Sequence, residues 1–149
     1  MCEDFARSPG LWYYSAITIP NCSVEQCKEG NWQVAYHGTS IQLGAKILQE
    51  GKIKIGPSVT GGMKGVYVER EKRKGCTVPH ACHEIILLEV PVLTACVFEL
   101  LVDRYRGNTI NKQWVQPEDS IIITGLYTHV LPVPRLYTEG NLGWYTWDD

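Results

Sequence analysis

Two short stretches of this chain carry side chains able to do chemistry. The first is His37-Gly38-Thr39-Ser40: an imidazole, a residue with no side chain and two hydroxyls in succession. The imidazole can donate or accept a hydrogen bond, the glycine lets a ligand approach the backbone, and the hydroxyls can hold an amide or cap a helix. The second is Cys76-Thr77-Val78-Pro79-His80-Ala81-Cys82-His83, with four sulfur or imidazole groups. Such a set invites a zinc hypothesis. Its spacing, however, matches no usual structural zinc pattern, and adjacent Cys82 and His83 give awkward geometry. The preferred reading is a loop with reduced cysteines and no metal. A Cys76–Cys82 or Cys22–Cys27 disulfide is the alternative for a secreted protein.

The first stretch is placed by its neighbours. Trp32 to Tyr36 is aromatic and β-branched, which predicts a strand stopping at His37-Gly38. Thr39 or Ser40 can cap a helix carrying Ile41, Ala45 and Leu48 on one apolar face, and Gly51 stands where that helix would end. His37 and Gly38 therefore fall at a strand-to-helix corner, where free helix N–H groups help build a ligand site. The plainer reading is that His37 closes a strand and Gly38 turns the chain.

The rest of the chain bounds the setting. At 149 residues it fits one domain with a real core. A net charge of −2, with neither sign clustered, argues against nucleic-acid or anionic-membrane partners. The basic run Arg70 to Lys74 is interrupted by Glu71 and reads as a solvated loop. No apolar run reaches membrane-spanning length, and the N-terminus resembles neither a signal nor a transit peptide. Together with the six cysteines, read as mainly reduced, this predicts an intracellular protein, cytoplasmic or nuclear. Further strands are predicted at Leu11–Ile17, Gly65–Val68, Glu84–Val92, Cys96–Val102 and Ser120–Thr124. Gly125 breaks or bulges the last, and Leu126–Leu131 continues it or pairs back. Many short strands, one helix and long loops predict an α+β fold with largely antiparallel sheets.

Three pieces in this order carry a family resemblance: His37-Gly38-Thr39 followed by Ser40, a helix closing at Gly51, and Gly65-Val66-Tyr67-Val68. Together they resemble the NAD-binding half of the ADP-ribosyltransferase superfamily, in its poly(ADP-ribose) polymerase-like, diphtheria-toxin-like branch. The likeness is clear over residues 32–70, extends through 84–92 and fades beyond Val102. It implies one catalytic domain over residues 1–149, with split antiparallel sheets and few helices around an NAD cleft. It also implies roles for the matching residues. The Gly38 backbone holds the carboxamide of nicotinamide, Thr39 and Ser40 lie beside it, and Ser40 adds a hydroxyl. His37 bonds the adenosine-side ribose, and Tyr67 offers a ring face to the nicotinamide. Glu118 stands where the family's acid is expected, before the last strong strand, with Asp119 beside it as the other candidate. Such an acid stabilises the positive charge that builds on the ribose as nicotinamide leaves. Gln116-Pro117-Glu118 also has the Gln-x-Glu spacing of the other toxin-like branch. The family's second aromatic has no counterpart between Tyr67 and Phe98, so either the nicotinamide is stacked on one face only or a residue from elsewhere, His83 or Trp114, covers the other.

The activity implied is mono-ADP-ribosyl transfer: cleavage of NAD, as co-substrate, at the nicotinamide–ribose bond and transfer of ADP-ribose to a protein or other nucleophile. A catalytically inactive NAD- or ADP-ribose-binding module is the alternative, favoured if Ser120 or Ile121 takes the acid's place. NAD hydrolysis differs only in the attacking group. Transfer of an RNA 2′-phosphate onto NAD ranks last, because it calls for arginines and histidines clustered at the site.

Overall fold

The computed structural model describes residues 12–17, 30–55, 64–77, 81, 83–87 and 89–131. Cys22, Cys27, His80, Cys82 and the segment 132–149 lie outside these. The described chain is α+β: eight strands, all paired antiparallel, one α-helix and two 3₁₀ segments. In chain order the strands are β1 (Trp12–Ala16), β2 (Trp32–Thr39), β3 (Val66–Arg70), β4 (His83–Leu87), β5 (Val90–Asp103), β6 (Asn108–Ile110), β7 (Gln113–Gln116) and β8 (Ile121–Leu131). The helix α1 covers Ile41–Glu50; the 3₁₀ segments are Glu71–Thr77 and Glu118–Ser120.

The strand order is β1-β8-β5-β2-β3-β7-β6, with β4 paired to the start of β5. The ladder changes character at β2. Along its whole length, Trp32 to Thr39, β2 pairs with β5. With β3 it pairs only at Ala35↔Arg70 and Tyr36↔Glu69. Beyond those two rungs β3 pairs with β7 alone, from Val68↔Trp114 to Val66↔Gln116. The strands thus form a large group (β1, β8, β5, β4, β2) and a small one (β3, β7, β6), joined by a two-rung seam.

The core lies on one face of the large group. Ala35, Cys96, Phe98, Leu100, Val102 and Ile123 meet Val66 and Val68 of β3 and Ile47 of α1 there. The α1 caps match expectation. The Ser40 hydroxyl accepts from the Leu43 amide at 3.1 Å, and Gly51 closes the helix with φ 72°. A cap of this kind contributes about 1 kcal/mol. The buried helix face does not match: Gly44 and Ile47 are buried, whereas Ala45 and Leu48 are exposed. A Cβ on Gly44 would stand 2.7 Å from Cys96 Sγ, so the missing side chain lets the helix sit directly on β5. That contact, rather than the widest apolar stripe, sets the rotation of the helix.

Three strand boundaries also differ. β2 runs through His37 and Gly38 to Thr39 because β5 continues to pair with it. The apolar run 84–92 is a hairpin rather than one strand. Glu89 adopts φ 68°, and β4 folds back on β5 with Leu87 opposite Val90. Residues 103–119 hold a second hairpin, β6–β7, turned by Asn111 and Lys112, both at positive φ as in a type I′ turn. β8 continues past Gly125 to Leu131 and bulges beside that glycine, as expected: Glu99 faces Gly125 and Leu100 faces Ile123, so Thr124 is the extra residue.

Candidate functional site

His37 and Gly38 lie on β2 just past the last rung it shares with β3. At the first broken rung the His37 ring takes over: Nδ1 lies 2.8 Å from the Tyr67 carbonyl oxygen. A carbonyl only accepts, so Nδ1 is the donor; in the neutral ring Nε2 is then the acceptor. The seam thereby brings together His37, Gly38 and Tyr67, three of the residues singled out in the sequence.

Strand alternation sends them to opposite faces. Ala35 belongs to the core, so His37 and Thr39 point to that same face. There they line a cavity of about 440 Å³ with Leu43 and Ile47 of α1 and with Ile53 and Ile55 beyond it. Its volume falls within the range of small-molecule sites. Gly38 lies on the other face, as does Tyr67, which alternates with the core residues Val66 and Val68. That face is covered by the 3₁₀ segment. A Cβ on Gly38 would stand 2.2 Å from the Thr77 carbonyl oxygen and 3.2 Å from the Ala81 Cβ. The space expected to admit a ligand against Gly38 is filled by the chain's own backbone.

The 3₁₀ segment has two halves. Arg73, at φ −118° and ψ 17°, interrupts its helical geometry. The first half is fastened to the seam by polar contacts. The Tyr36 hydroxyl donates to Glu71 Oε2 at 2.8 Å. Arg73 Nε pairs with Glu69 Oε2 at 2.9 Å, and the Glu69 side chain is only 5% exposed. Burial, then the hydrogen bond to Glu71, raises the Tyr36 phenol pKa well above its ordinary value. The second half ends on buried Gly75 and Thr77, with Cys76 between them in a disulfide. This corrects the reading of Cys76 as a reduced thiol. A disulfide sulfur is not a thiolate, so Cys76 in this state is no zinc ligand. The described residues contain no cluster of three metal-binding side chains.

Glu118 is exposed in the short 3₁₀ segment before β8. Its Oε1 accepts from the Ile55 amide at 2.6 Å, which holds it at the rim of the His37 cavity, of whose wall Ile55 is part. Asp119, the other candidate acid, is engaged elsewhere. It pairs with Arg106, whose guanidinium holds the carboxyl below its ordinary pKa.

Gln116 is a buried hub. Its amide nitrogen donates to Asp103 O at 3.0 Å and Ser120 Oγ at 2.8 Å, and its oxygen accepts from Arg104. Three of the four hydrogen-bonding positions of this amide are thus spent on Arg104, Asp103 and Ser120, which holds it inside the protein. Trp114 does not face the His37 cavity. It lines a separate groove of about 520 Å³ with Gln33, Val34, Arg70, Glu71 and Lys72, with the Arg104 guanidinium 4.3 Å above its ring. The His83 side chain is outside the described set. Sequence reasoning missed Leu43, Ile53 and Ile55 as cavity walls, along with Lys46, Glu50, Lys52 and Lys54; Leu43, apolar yet outside the Ile41-Ala45-Leu48 stripe, was the available signal.

No helix among the described residues is long and apolar enough to cross a membrane. A scan against protein-family models, a search of curated proteins and a search of solved structures each return no match.

Proposed function

We propose that this chain is an ADP-ribosyltransferase-type domain that cleaves NAD and transfers ADP-ribose to a protein acceptor. The observation that supports this most is the seam. The two groups of antiparallel strands part at His37-Gly38; His37 faces a cavity with Glu118 at its rim, and Gly38 and Tyr67 lie together on the other face. In this reading His37 Nε2 accepts from a ribose hydroxyl, and Thr39 and Ser40 flank the carboxamide held at Gly38. Tyr67 packs on the nicotinamide ring. Glu118 leaves the Ile55 amide to face the ribose carbon on which positive charge develops. The residues offered to NAD are hydrogen-bonding groups and an aromatic ring, with the cations of Lys46, Lys52 and Lys54 and the carboxylates of Glu50 and Glu118 around the cavity.

A second reading has its own observation. Thr77 covers Gly38, and the Glu118 carboxylate is already occupied, as in an NAD-binding module without turnover. Incubation with NAD labelled in the adenosine half decides between them. A transferase yields protein-bound label and free nicotinamide. Glu118→Gln should then lower kcat by about 100-fold while changing NAD binding little. A folded Glu118→Gln protein with undiminished turnover would remove the acid assignment. Binding without nicotinamide release would favour the module. The Cys76 disulfide favours an oxidising compartment, or a redox cycle within the cell, over a wholly reduced setting.

A further inference from the structure

The 3₁₀ segment Glu71–Thr77 joins a disulfide to the glycine at the proposed site. Its first half is anchored to the seam independently of any cysteine, through Tyr36–Glu71 and Arg73–Glu69. Arg73 then breaks the helical geometry. The second half, Gly75-Cys76-Thr77, carries the Thr77 carbonyl into the space over Gly38. The Thr77 hydroxyl bonds locally, donating to Lys74 O at 2.6 Å. The covalent tie on this half is the disulfide at Cys76. A firm anchor, a break and a covalently held end directly over a backbone ligand position make a cover whose latch is the disulfide.

We infer that the Cys76 disulfide holds Thr77 over Gly38 as a redox-controlled cover, and that a dithiol reductant opens the nicotinamide side of the site. This rests on the NAD reading above. The reduction is an ordinary exchange. A dithiol supplies two electrons and two protons, the Cys76 sulfur–sulfur bond breaks to two thiols, and the dithiol leaves as its own disulfide. Segment 75–77 then pivots about Arg73 and carries Ala81, whose Cβ also lies over Gly38, away with it, while 71–74 stays on the seam. Apparent NAD affinity rises with the fraction of molecules in which Gly38 is uncovered.

The test compares the full chain in oxidising buffer and in dithiothreitol, with Cys76→Ser in both. Amide exchange is followed over peptides containing 36–40 and 71–77, and NAD is titrated by calorimetry. Reduction should speed exchange over both peptides of the wild type and tighten NAD binding by about tenfold. Cys76→Ser should behave like the reduced wild type in either buffer. Equal exchange over 36–40 in the two buffers overturns the inference, as does a Cys76→Ser protein that responds to dithiothreitol as the wild type does. Because the wild type is tested by chemical reduction, a poorly folding variant does not remove the test. Faster exchange on reduction with no NAD binding in either state leaves the cover standing and removes the NAD reading.

Discussion

The two groups of strands that meet at the β2–β3 seam are built for different purposes. The large group holds the long strands: β5 is 14 residues and β8 is 11, and most of the fully buried side chains lie on β5 and its partners. The small group is three short strands closed by a type I′ turn, with only Val66, Val68 and Val115 as buried aliphatic residues. Stability belongs mainly to the first. The candidate chemistry sits where the second departs from it, in residues that no longer have two strand neighbours. The lesson is that where strand pairing stops, a side chain and the 3₁₀ backbone take the place of the ladder at His37-Gly38.

This contrast can be broken in three places. The largest effect is expected in the large group. Phe98→Ala empties a fully buried site and should cost about 3–5 kcal/mol in chemical denaturation. A cost below about 1 kcal/mol would show that stability is not concentrated there.

The seam should respond less, and to pH. Tyr36→Phe removes the hydrogen bond to Glu71 and should cost about 1 kcal/mol at neutral pH, since Glu71 is largely exposed. The folded state raises the Tyr36 pKa, so it favours the neutral phenol. The stabilisation from that preference is complete below about pH 10 and is lost as the pH rises from there toward the folded value. Wild type should therefore lose more stability than Tyr36→Phe between neutral pH and the alkaline range. Equal losses in parallel denaturation series would remove Tyr36 as the alkaline-sensitive group.

The smallest effect is expected at the exposed Arg106–Asp119 pair before β8. Arg106→Ala should shift stability by no more than about 0.5 kcal/mol, and less in high salt. A larger, salt-resistant loss would mean that this turn supports the seam.

The same contrast explains what was legible in the sequence. Ser40 and Gly51 bounded the helix correctly because caps are local chemistry. The strands at Trp32, Val66 and Ile121 were legible because β-branched and aromatic residues announce them. The β4–β5 hairpin was hidden because Glu89 turns the chain without glycine or asparagine, inside a run that looks like one buried strand. The helix rotation was hidden because it follows from Gly44 meeting Cys96, a contact between distant residues. At the site, His37 and Tyr67 were legible as types, and their meeting followed from two short strands pairing. The cover over Gly38 was not legible, since it depends on where the chain returns after β3, and the disulfide at Cys76 was legible only as the alternative to a reduced thiol. Cys96 shows the other side of the same point: buried under α1, its thiol pKa is pushed up to about 11, and it is packing rather than chemistry.

The position of β1 has a consequence for how the chain is made. β1 begins the described chain, yet among the described strands it pairs with β8, which ends it, with Trp12 opposite His129 and Ala16 opposite Gly125. During synthesis β1 therefore emerges first and waits until nearly the whole of the described chain has been translated before its partner exists. Over that interval an aromatic strand, Trp12-Tyr13-Tyr14, is without its ladder. Such long-range pairing is slow to form and exposed to wrong partners. Closure of the sheet by β1 is thus expected to be a late event in folding, completed after the α1–β2–β5 core has assembled.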